Sequence, residues 1–166
     1  PAEIRAPAGT TYGVSAFQIH FANHEVLTPG DAPDVLVAMN PAALKTQLPD
    51  LKERGLLVIN EGAFTLGNLK KAGYEENPLE DASLEGYRHV VIDITKCTIN
   101  AVEGFGLSNK EAVRSKNMWT LGLLMWLYGR DREPTVEYLT KKFSKIPHIA
   151  NANIAALNAG HNMIQR

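Results

Sequence analysis

The stretch Val35-Leu36-Val37-Ala38-Met39-Asn40-Pro41 decides the fold of this chain. Its five consecutive apolar residues are typical of a parallel strand that is buried on both faces of a sheet. Asn40 then supplies a helix N-cap, and Pro41 suits the first turn of the helix that follows. A strand that passes directly into a helix predicts one half of a β-α-β crossover unit.

Two further apolar runs continue this rhythm along the chain. Residues 56–59 follow a glycine, and residues 88–94 have the composition of a third parallel strand. Nearer the start, Phe17, Ile19 and Phe21 are separated by polar residues. This period of two predicts a strand with its apolar face covered.

The last third of the chain has a helical pattern. Ser108 and Glu111 have the spacing of a capping box, which predicts the start of a long helix that runs to Tyr128 and closes at Gly129. Two more helices are predicted, one from Pro134 and one to the end of the chain. Together these elements predict a three-layer α/β/α, Rossmann-like fold with a mainly parallel sheet and a helical C-terminal third.

Composition limits the possible classes of function. The 166 residues suit one domain spanning residues 1–166, with 45% hydrophobic and 21% charged residues. The 17 basic residues do not exceed the 18 acidic ones, which argues against a nucleic-acid partner. The single cysteine, Cys97, excludes an internal disulfide and favours the cytoplasm. No apolar run is long enough to span a membrane, so no membrane association is expected.

No complete catalytic constellation is visible in the sequence, and no metal site is predicted. The five histidines lack metal-ligand spacing, and a surface or structural role is expected for each; they stand at positions 20, 24, 89, 148 and 161. Lys96 could lower the pKa of Cys97, although a small buried thiol is the more common case. Trp119 and Trp126 share one helical face, which indicates core packing or, alternatively, an interface.

The strongest functional indication is geometric. Ligands of open parallel sheets bind at the carboxyl ends of the strands. Three loops are predicted to lie there: one begins at Asn40, and the others are residues 60–62 and 95–97. The opening residues, which have the composition of a loop, add Glu3 and Arg5. Arg5 could bind a carboxylate or phosphate while Glu3 orients it, but an ion pair within the fold explains the same residues equally well.

Four separated segments of the chain stand in a recognisable order. They are PAEIRAPAGT at 1–10, PDVLVAMNPAAL at 33–44, KNM at 116–118 with LG at 121–122, and NIAALNAG at 153–160. Together they resemble the gamma domain of 2-oxoacid:ferredoxin oxidoreductases over essentially the whole chain. The nearest likeness is to the 2-oxoglutarate:acceptor type, in which this domain is fused ahead of a thiamine-diphosphate domain in one alpha subunit. Ala6 and Pro7 replace the two glycines of the family's usual Glu-x-Arg-Gly-Gly signature.

The resemblance implies one part of a larger enzyme. Such enzymes convert a 2-oxoacid, coenzyme A and oxidised ferredoxin into an acyl-CoA, carbon dioxide and reduced ferredoxin. Thiamine diphosphate, magnesium and an iron-sulfur cluster are then expected in partner domains, with none held by this chain alone. Coenzyme A is expected as co-substrate, and the thiamine-binding domains and ferredoxin as partners.

The resemblance also implies a division of roles along this chain. No catalytic residue is expected in it, whereas Glu3, Arg5, Thr10 and Asn40 are expected to line the coenzyme A side of the active site. The family's N-terminal strand and glycine-rich loop are expected before Pro1 and are missing from this sequence. Three alternatives stay open: a docking module without its own ligand, a pyruvate-type gamma domain, and a free-standing nucleotide-binding α/β protein.

Overall fold

The computed structural model describes the backbone of residues 2–5 and all atoms of residues 14–163. It divides into two compact units, Pro1–Asp93 and Ile94–Arg166. That residues 1–166 form a single gamma domain stays a prediction.

The first unit begins with a two-stranded antiparallel hairpin. Strand β1 (Ala2–Arg5) pairs with β2 (Ala16–Ile19), so that Ile4 lies opposite Phe17. The prediction of a loop at the start is therefore wrong for residues 2–5, where Ile4 between Glu3 and Arg5 has the period of a strand. Residues 6–10 lie outside the described part of the chain.

The hairpin also reverses the predicted burial of β2. Phe17 is 62% exposed and Ile19 is 56% exposed, whereas Ala16 and Gln18 are half-buried. The Gln18 side chain explains this orientation, because its Nε2 donates to the carbonyl oxygens of Pro29, at 3.1 Å, and Gly30, at 3.0 Å. The expectation of a covered apolar face is thus wrong in this structure.

The centre of the first unit is the predicted parallel sheet. Its order is β3-β4-β5, formed by Val35–Ala38, Leu56–Asn60 and Arg88–Ile92. The middle strand is buried almost completely, while β5 at one edge of the sheet is exposed along most of its length. Strand β5 ends at Ile92, two residues earlier than predicted.

Helices α1 (Pro41–Gln47) and α2 (Leu66–Lys71) belong to the same unit. As predicted, Asn40 caps α1: its Oδ1 accepts a hydrogen bond from the Ala43 amide at 2.8 Å. A single core cluster joins the sheet to both helices, and its members include Ala38, Leu44, Leu57, Ile59, Phe64 and Leu69.

In the second unit, all regular elements of the described residues 94–163 are helices. Its helices are α3 (Ile94–Ala101), α4 (Asn109–Arg114), α5 (Lys116–Leu127), α6 (Glu133–Lys142) and α7 (Pro147–His161). The long helix predicted from Ser108 is wrong, since it is divided at Ser115. Ser115 is buried, and its amide donates to the Ala112 carbonyl in a tight turn that ends α4. The predicted parallel sheet, α/β class and helical final third are confirmed.

Helices α5 and α7 approach each other backbone to backbone. A methyl group at Gly122 would collide with the Leu157 carbonyl oxygen, and one at Gly160 would collide with the Trp119 carbonyl oxygen. Trp119 itself is only 2% exposed, so its predicted role in core packing is confirmed, while Trp126 is half-buried. Absence of a Cβ at both glycines is what allows this contact.

We expect Gly122→Ala to lower the free energy of unfolding by about 3 kcal/mol, because a backbone oxygen cannot move aside as a side chain would. Urea or thermal unfolding measures the effect. Gly67→Ala is the matched control: Gly67 lies in α2 with open space around its Cα. That change should stabilise the protein by up to about 1 kcal/mol. Equal effects of the two substitutions would contradict the close contact.

The capping box of α4 predicts a pH dependence. The Ser108 hydroxyl and amide both donate to the Glu111 carboxylate, at 2.6 and 2.9 Å, and these bonds hold the pKa of Glu111 below its usual 4.5. The stabilisation is therefore present above pH 4.5 and is lost as the pH falls through the lowered pKa. We expect Ser108→Ala to raise the Glu111 pKa toward 4.5 in an NMR titration and to weaken this acid sensitivity. An unchanged Glu111 pKa would contradict the assignment.

Candidate functional site

The carboxyl ends of β3 and β4 meet at one edge of the parallel sheet. Their register pairs Ala38 with Ile59, so that Asn60 stands level with Met39, one residue before Asn40. Asn60 is fully buried, and its Nδ2 donates to the Met39 carbonyl oxygen at 3.2 Å. This bond links the two strand ends, and the first two predicted loops do come together.

Asp93 extends this edge from the neighbouring strand. It directly follows β5, and its carboxylate lies against Gly62, where a methyl group would collide with Oδ1. Gly62 is part of a short 3-10 turn, Glu61–Ala63, that continues from the end of β4. The edge of the sheet thus presents the Asn40 side chain after β3, the Glu61–Ala63 turn after β4 and the Asp93 carboxylate after β5. These groups can form hydrogen bonds with a polar ligand.

Sequence reasoning missed Asp93, because it assigned the whole of residues 88–94 to the strand. A signal was available, because Asp93 is a charged residue flanked by Ile92 and Ile94, at the point where an apolar run ends. Charged residues at strand ends of parallel sheets are candidates for ligand contact. The third predicted loop, residues 95–97, lies inside α3 of the second unit, so its assignment as a loop is wrong.

The structure describes the four predicted site residues to different extents. Asn40 is half-buried, and its Oδ1 is engaged in capping α1. Glu3 and Arg5 lie in β1 with backbones opposite Gln18 and Ala16, and their side chains are outside the described part of the structure, as is the whole of Thr10. Their roles at a ligand site stay predictions.

A cleft elsewhere on the first unit has a different chemistry. It is a cleft of about 910 Å³ whose apolar floor includes Phe64, Leu69 and Tyr74, and whose rim carries Glu75, Glu76, Glu80 and Asp81 with Lys70. Burial, and then the charge of Asp81, raise the pKa of Tyr74, while hydrogen bonds from Ser83 lower the pKa of Asp81. This negative rim disfavours ligands that carry phosphate groups.

The remaining candidates do not form a further centre in the described residues. Cys97 is half-buried within α3, and no group of three potential metal ligands from His, Cys, Asp and Glu comes together in the part of the chain that is described. Among those same residues, every helix is too short or too polar to cross a bilayer.

We expect Gly62→Ala to destabilise the protein by about 1–3 kcal/mol, since the added methyl group overlaps the Asp93 carboxylate. In an Asp93→Ala background the same substitution should cost clearly less, which a double-mutant cycle of unfolding free energies measures. Gly86→Ala is the control, because nothing lies near that position. Identical costs of Gly62→Ala in both backgrounds would contradict the contact.

The chain matches the model of the family "Pyruvate ferredoxin/flavodoxin oxidoreductase" over residues 3–163. It is 52% identical over 162 residues to the 2-oxoglutarate oxidoreductase subunit KorA of Mycobacterium tuberculosis, an alignment that covers 98% of this chain and 25% of KorA. The chain therefore spans about a quarter of the length of this curated relative.

Two solved structures are also similar. The first is the 2-oxoglutarate:ferredoxin oxidoreductase from Magnetococcus marinus, determined with 2-oxoglutarate, coenzyme A and succinyl-CoA bound; it is 22% identical over 87% of this chain and 22% of its own, with a TM-score of 0.62. The second is the pyruvate oxidoreductase subunit PORC from Thermotoga maritima, 22% identical over 80% of this chain and 64% of its own, with a TM-score of 0.46. The first likeness supports the α/β fold, and the match along residues 3–163 shows that this chain belongs to the pyruvate ferredoxin/flavodoxin oxidoreductase family.

Proposed function

We propose that this chain is the gamma domain of a 2-oxoglutarate:ferredoxin oxidoreductase. The enzyme cleaves the bond between C1 and C2 of 2-oxoglutarate, releases carbon dioxide and joins the remaining acyl group to the sulfur of coenzyme A. The two electrons set free pass singly to oxidised ferredoxin, and the products are succinyl-CoA, carbon dioxide and reduced ferredoxin.

One observation carries this proposal: the 52% identity with the KorA subunit extends along 98% of the chain. Identity of that level along a whole domain supports a shared reaction better than a shared fold does, because one fold can serve many activities. The structure from Magnetococcus marinus, which was determined with the substrate and product named above, agrees with the proposed reaction but is only 22% identical.

Within this reaction the chain would close one side of the active site and help to bind coenzyme A. Arg5 is the proposed phosphate ligand, since a guanidinium binds phosphate through two parallel hydrogen bonds. Glu3 would orient Arg5, and Thr10 and Asn40 would line the same cleft. The edge that contains Asn40 also carries the Asp93 carboxylate, but it is less acidic than the cleft, whose rim carries four carboxylates, and so it suits a polyanionic coenzyme better.

The cofactors of this reaction are assigned to other domains of the enzyme. An iron-sulfur cluster is usually held by several cysteine thiolates, and the sequence contains one cysteine. Among the described residues, no three side chains of His, Cys, Asp or Glu come together in a way that could hold a metal ion. We therefore assign thiamine diphosphate, magnesium and the cluster to partner domains of the same enzyme, where they would supply decarboxylation and electron transfer.

The proposed partners are these thiamine-binding domains and ferredoxin, and the proposed location is the cytoplasm. The single cysteine suits a reducing compartment. A pure docking role, without coenzyme A contact, is the second candidate, and the exposure of Phe17 and Ile19 favours it.

Kinetics of the native, full-length enzyme separate the two roles. We expect Arg5→Ala to raise the KM for coenzyme A about 30-fold, equivalent to about 2 kcal/mol of lost binding, and to leave the KM for 2-oxoglutarate within about twofold. Arg5→Lys should recover part of the loss, and Arg114→Ala, at an exposed position of α4, is the matched control. Unchanged coenzyme A kinetics would refute the binding role and leave docking.

The same assay tests the substrate. We expect a clear preference in kcat/KM for 2-oxoglutarate over pyruvate with coenzyme A and ferredoxin present. A preference for pyruvate would replace the proposed substrate by the pyruvate-type alternative. No turnover of either 2-oxoacid by the full-length enzyme would contradict the proposed function as a whole.

A further inference from the structure

Asn60 carries a side-chain amide with no exposed surface at the end of the central strand β4. The other four residues of this strand, residues 56–59, are all aliphatic. Burying an amide is unfavourable unless its polar atoms are hydrogen-bonded, and an apolar side chain would avoid that cost altogether. The amide at this one position of β4 therefore needs an explanation other than the packing of the sheet.

The hydrogen bond of Asn60 extends the contact between two strands by one step. The register of β3 with β4 ends at Ala38 and Ile59, whereas the register of β4 with β5 continues to Asn60. At this level the Asn60 Nδ2 atom donates to the Met39 carbonyl oxygen at 3.2 Å. The chain that leaves β3 is thus held by a side chain at the point where the paired residues end.

This bond restrains the residue that follows Met39. Asn40 is one peptide bond further along the chain, and its backbone is extended, with φ −160° and ψ 167°. The Asn40 Oδ1 atom accepts a hydrogen bond from the Ala43 amide at 2.8 Å, so that the acceptor side of the side-chain amide is turned towards α1. The two bonds together restrain both the backbone and the side chain of Asn40.

The donor side of the Asn40 amide is left available. The Nδ2 atom forms no hydrogen bond with another residue in the described part of the chain. Within that same part, no buried side-chain nitrogen or oxygen lacks a partner, so Nδ2 of the half-buried Asn40 must be reached by solvent. Ligands of parallel sheets bind at this edge, where Nδ2 is an oriented donor for an acceptor oxygen.

We propose that Asn60 is a positioning residue for coenzyme A: through the Met39 carbonyl it holds Asn40 so that Asn40 Nδ2 donates to an acceptor oxygen of the coenzyme. This inference rests on the proposed function, in which Asn40 lines the coenzyme A side of the active site. Asn60 has no exposed surface, so it acts on the ligand only through Asn40. The phosphate and amide oxygens of coenzyme A are both acceptors that an amide donor suits.

Calorimetric titration of the native, full-length enzyme with coenzyme A provides a readout that does not depend on turnover. We expect Asn60→Asp to weaken coenzyme A binding about tenfold at about pH 8, because an ionised carboxylate cannot donate to the Met39 carbonyl oxygen. Burial raises the pKa of such a carboxyl, so at about pH 5.5 it is protonated and donates again. Binding should then return to within about twofold of the wild-type value at the same pH.

Asn60→Ser is the contrasting variant, because its hydroxyl is too short to reach the Met39 carbonyl oxygen. We expect it to bind coenzyme A about tenfold more weakly than the wild type at both pH values. Wild-type affinity in Asn60→Ser would overturn the proposal. A loss in Asn60→Asp that is the same at both pH values would also overturn it, and if that variant does not fold, Asn60→Ser decides.

A double-mutant cycle tests whether Asn60 acts through Asn40. Asn40→Ser keeps a side-chain oxygen that can cap α1 but removes both N–H donors of the amide. We expect it to weaken coenzyme A binding, and in that background Asn60→Ser should cost less than about a further twofold. Full additivity of the two effects would overturn the proposal, because Asn60 would then act on binding without Asn40.

Steady-state kinetics distinguish positioning from a general loss of structure. Asn60→Ser should raise the KM for coenzyme A and leave the KM for 2-oxoglutarate within about twofold, whereas a loosened domain would raise both. Asn153→Asp is the matched control, since the Asn153 Nδ2 atom also donates to a backbone carbonyl, that of Ile149 at 2.9 Å within α7. An equal loss of coenzyme A affinity in this control would contradict a specific role for Asn60.

The wild-type enzyme separates this inference from the proposed function. A full-length protein that neither binds coenzyme A nor oxidises 2-oxoglutarate contradicts the proposed function, and the inference falls with it. A wild-type protein that does both, while Asn60→Ser binds coenzyme A equally tightly, contradicts only the role of Asn60 and leaves the function in place.

Discussion

The hydrogen bond from the buried Asn60 amide to the Met39 carbonyl oxygen is the constraint on which the first unit depends. Asn60 has no exposed surface, so loss of this bond would leave polar atoms without water to replace it. The bond holds the ends of β3 and β4 level, and the parallel register carries the same alignment to β5 and Asp93. One buried amide therefore keeps the carboxyl edge of the sheet in order.

Three surfaces of the first unit differ in chemistry and so in what they can bind. The edge with Asn40 and Asp93, both half-buried, is polar and suits a ligand with hydrogen-bonding groups. The cleft beside Tyr74 is acidic and disfavours phosphates, while the face with Phe17 and Ile19 is apolar and suits packed protein.

Local signals determined much of this architecture from the sequence. The apolar run before Asn40 predicted a buried parallel strand, Asn40 itself predicted the start of α1, and Ser108 with Glu111 predicted the capping box of α4; the structure contains all three. These features depend on residues within a few positions of one another. Neighbouring side chains and the backbone amides they cap are sufficient to specify them. The family motifs likewise predicted the membership that the comparison confirmed.

Features that depend on distant residues were decided by the tertiary structure alone. Periodicity showed that Phe17 and Ile19 share a face, but only the bonds of Gln18 to residues eleven and twelve positions away decide that this face points outward. The place of Gly122 against the Leu157 carbonyl, and of Asp93 against Gly62, likewise requires elements far apart in sequence to meet. A local pattern fixes which side chains lie together on an element, whereas long-range packing fixes what that element faces.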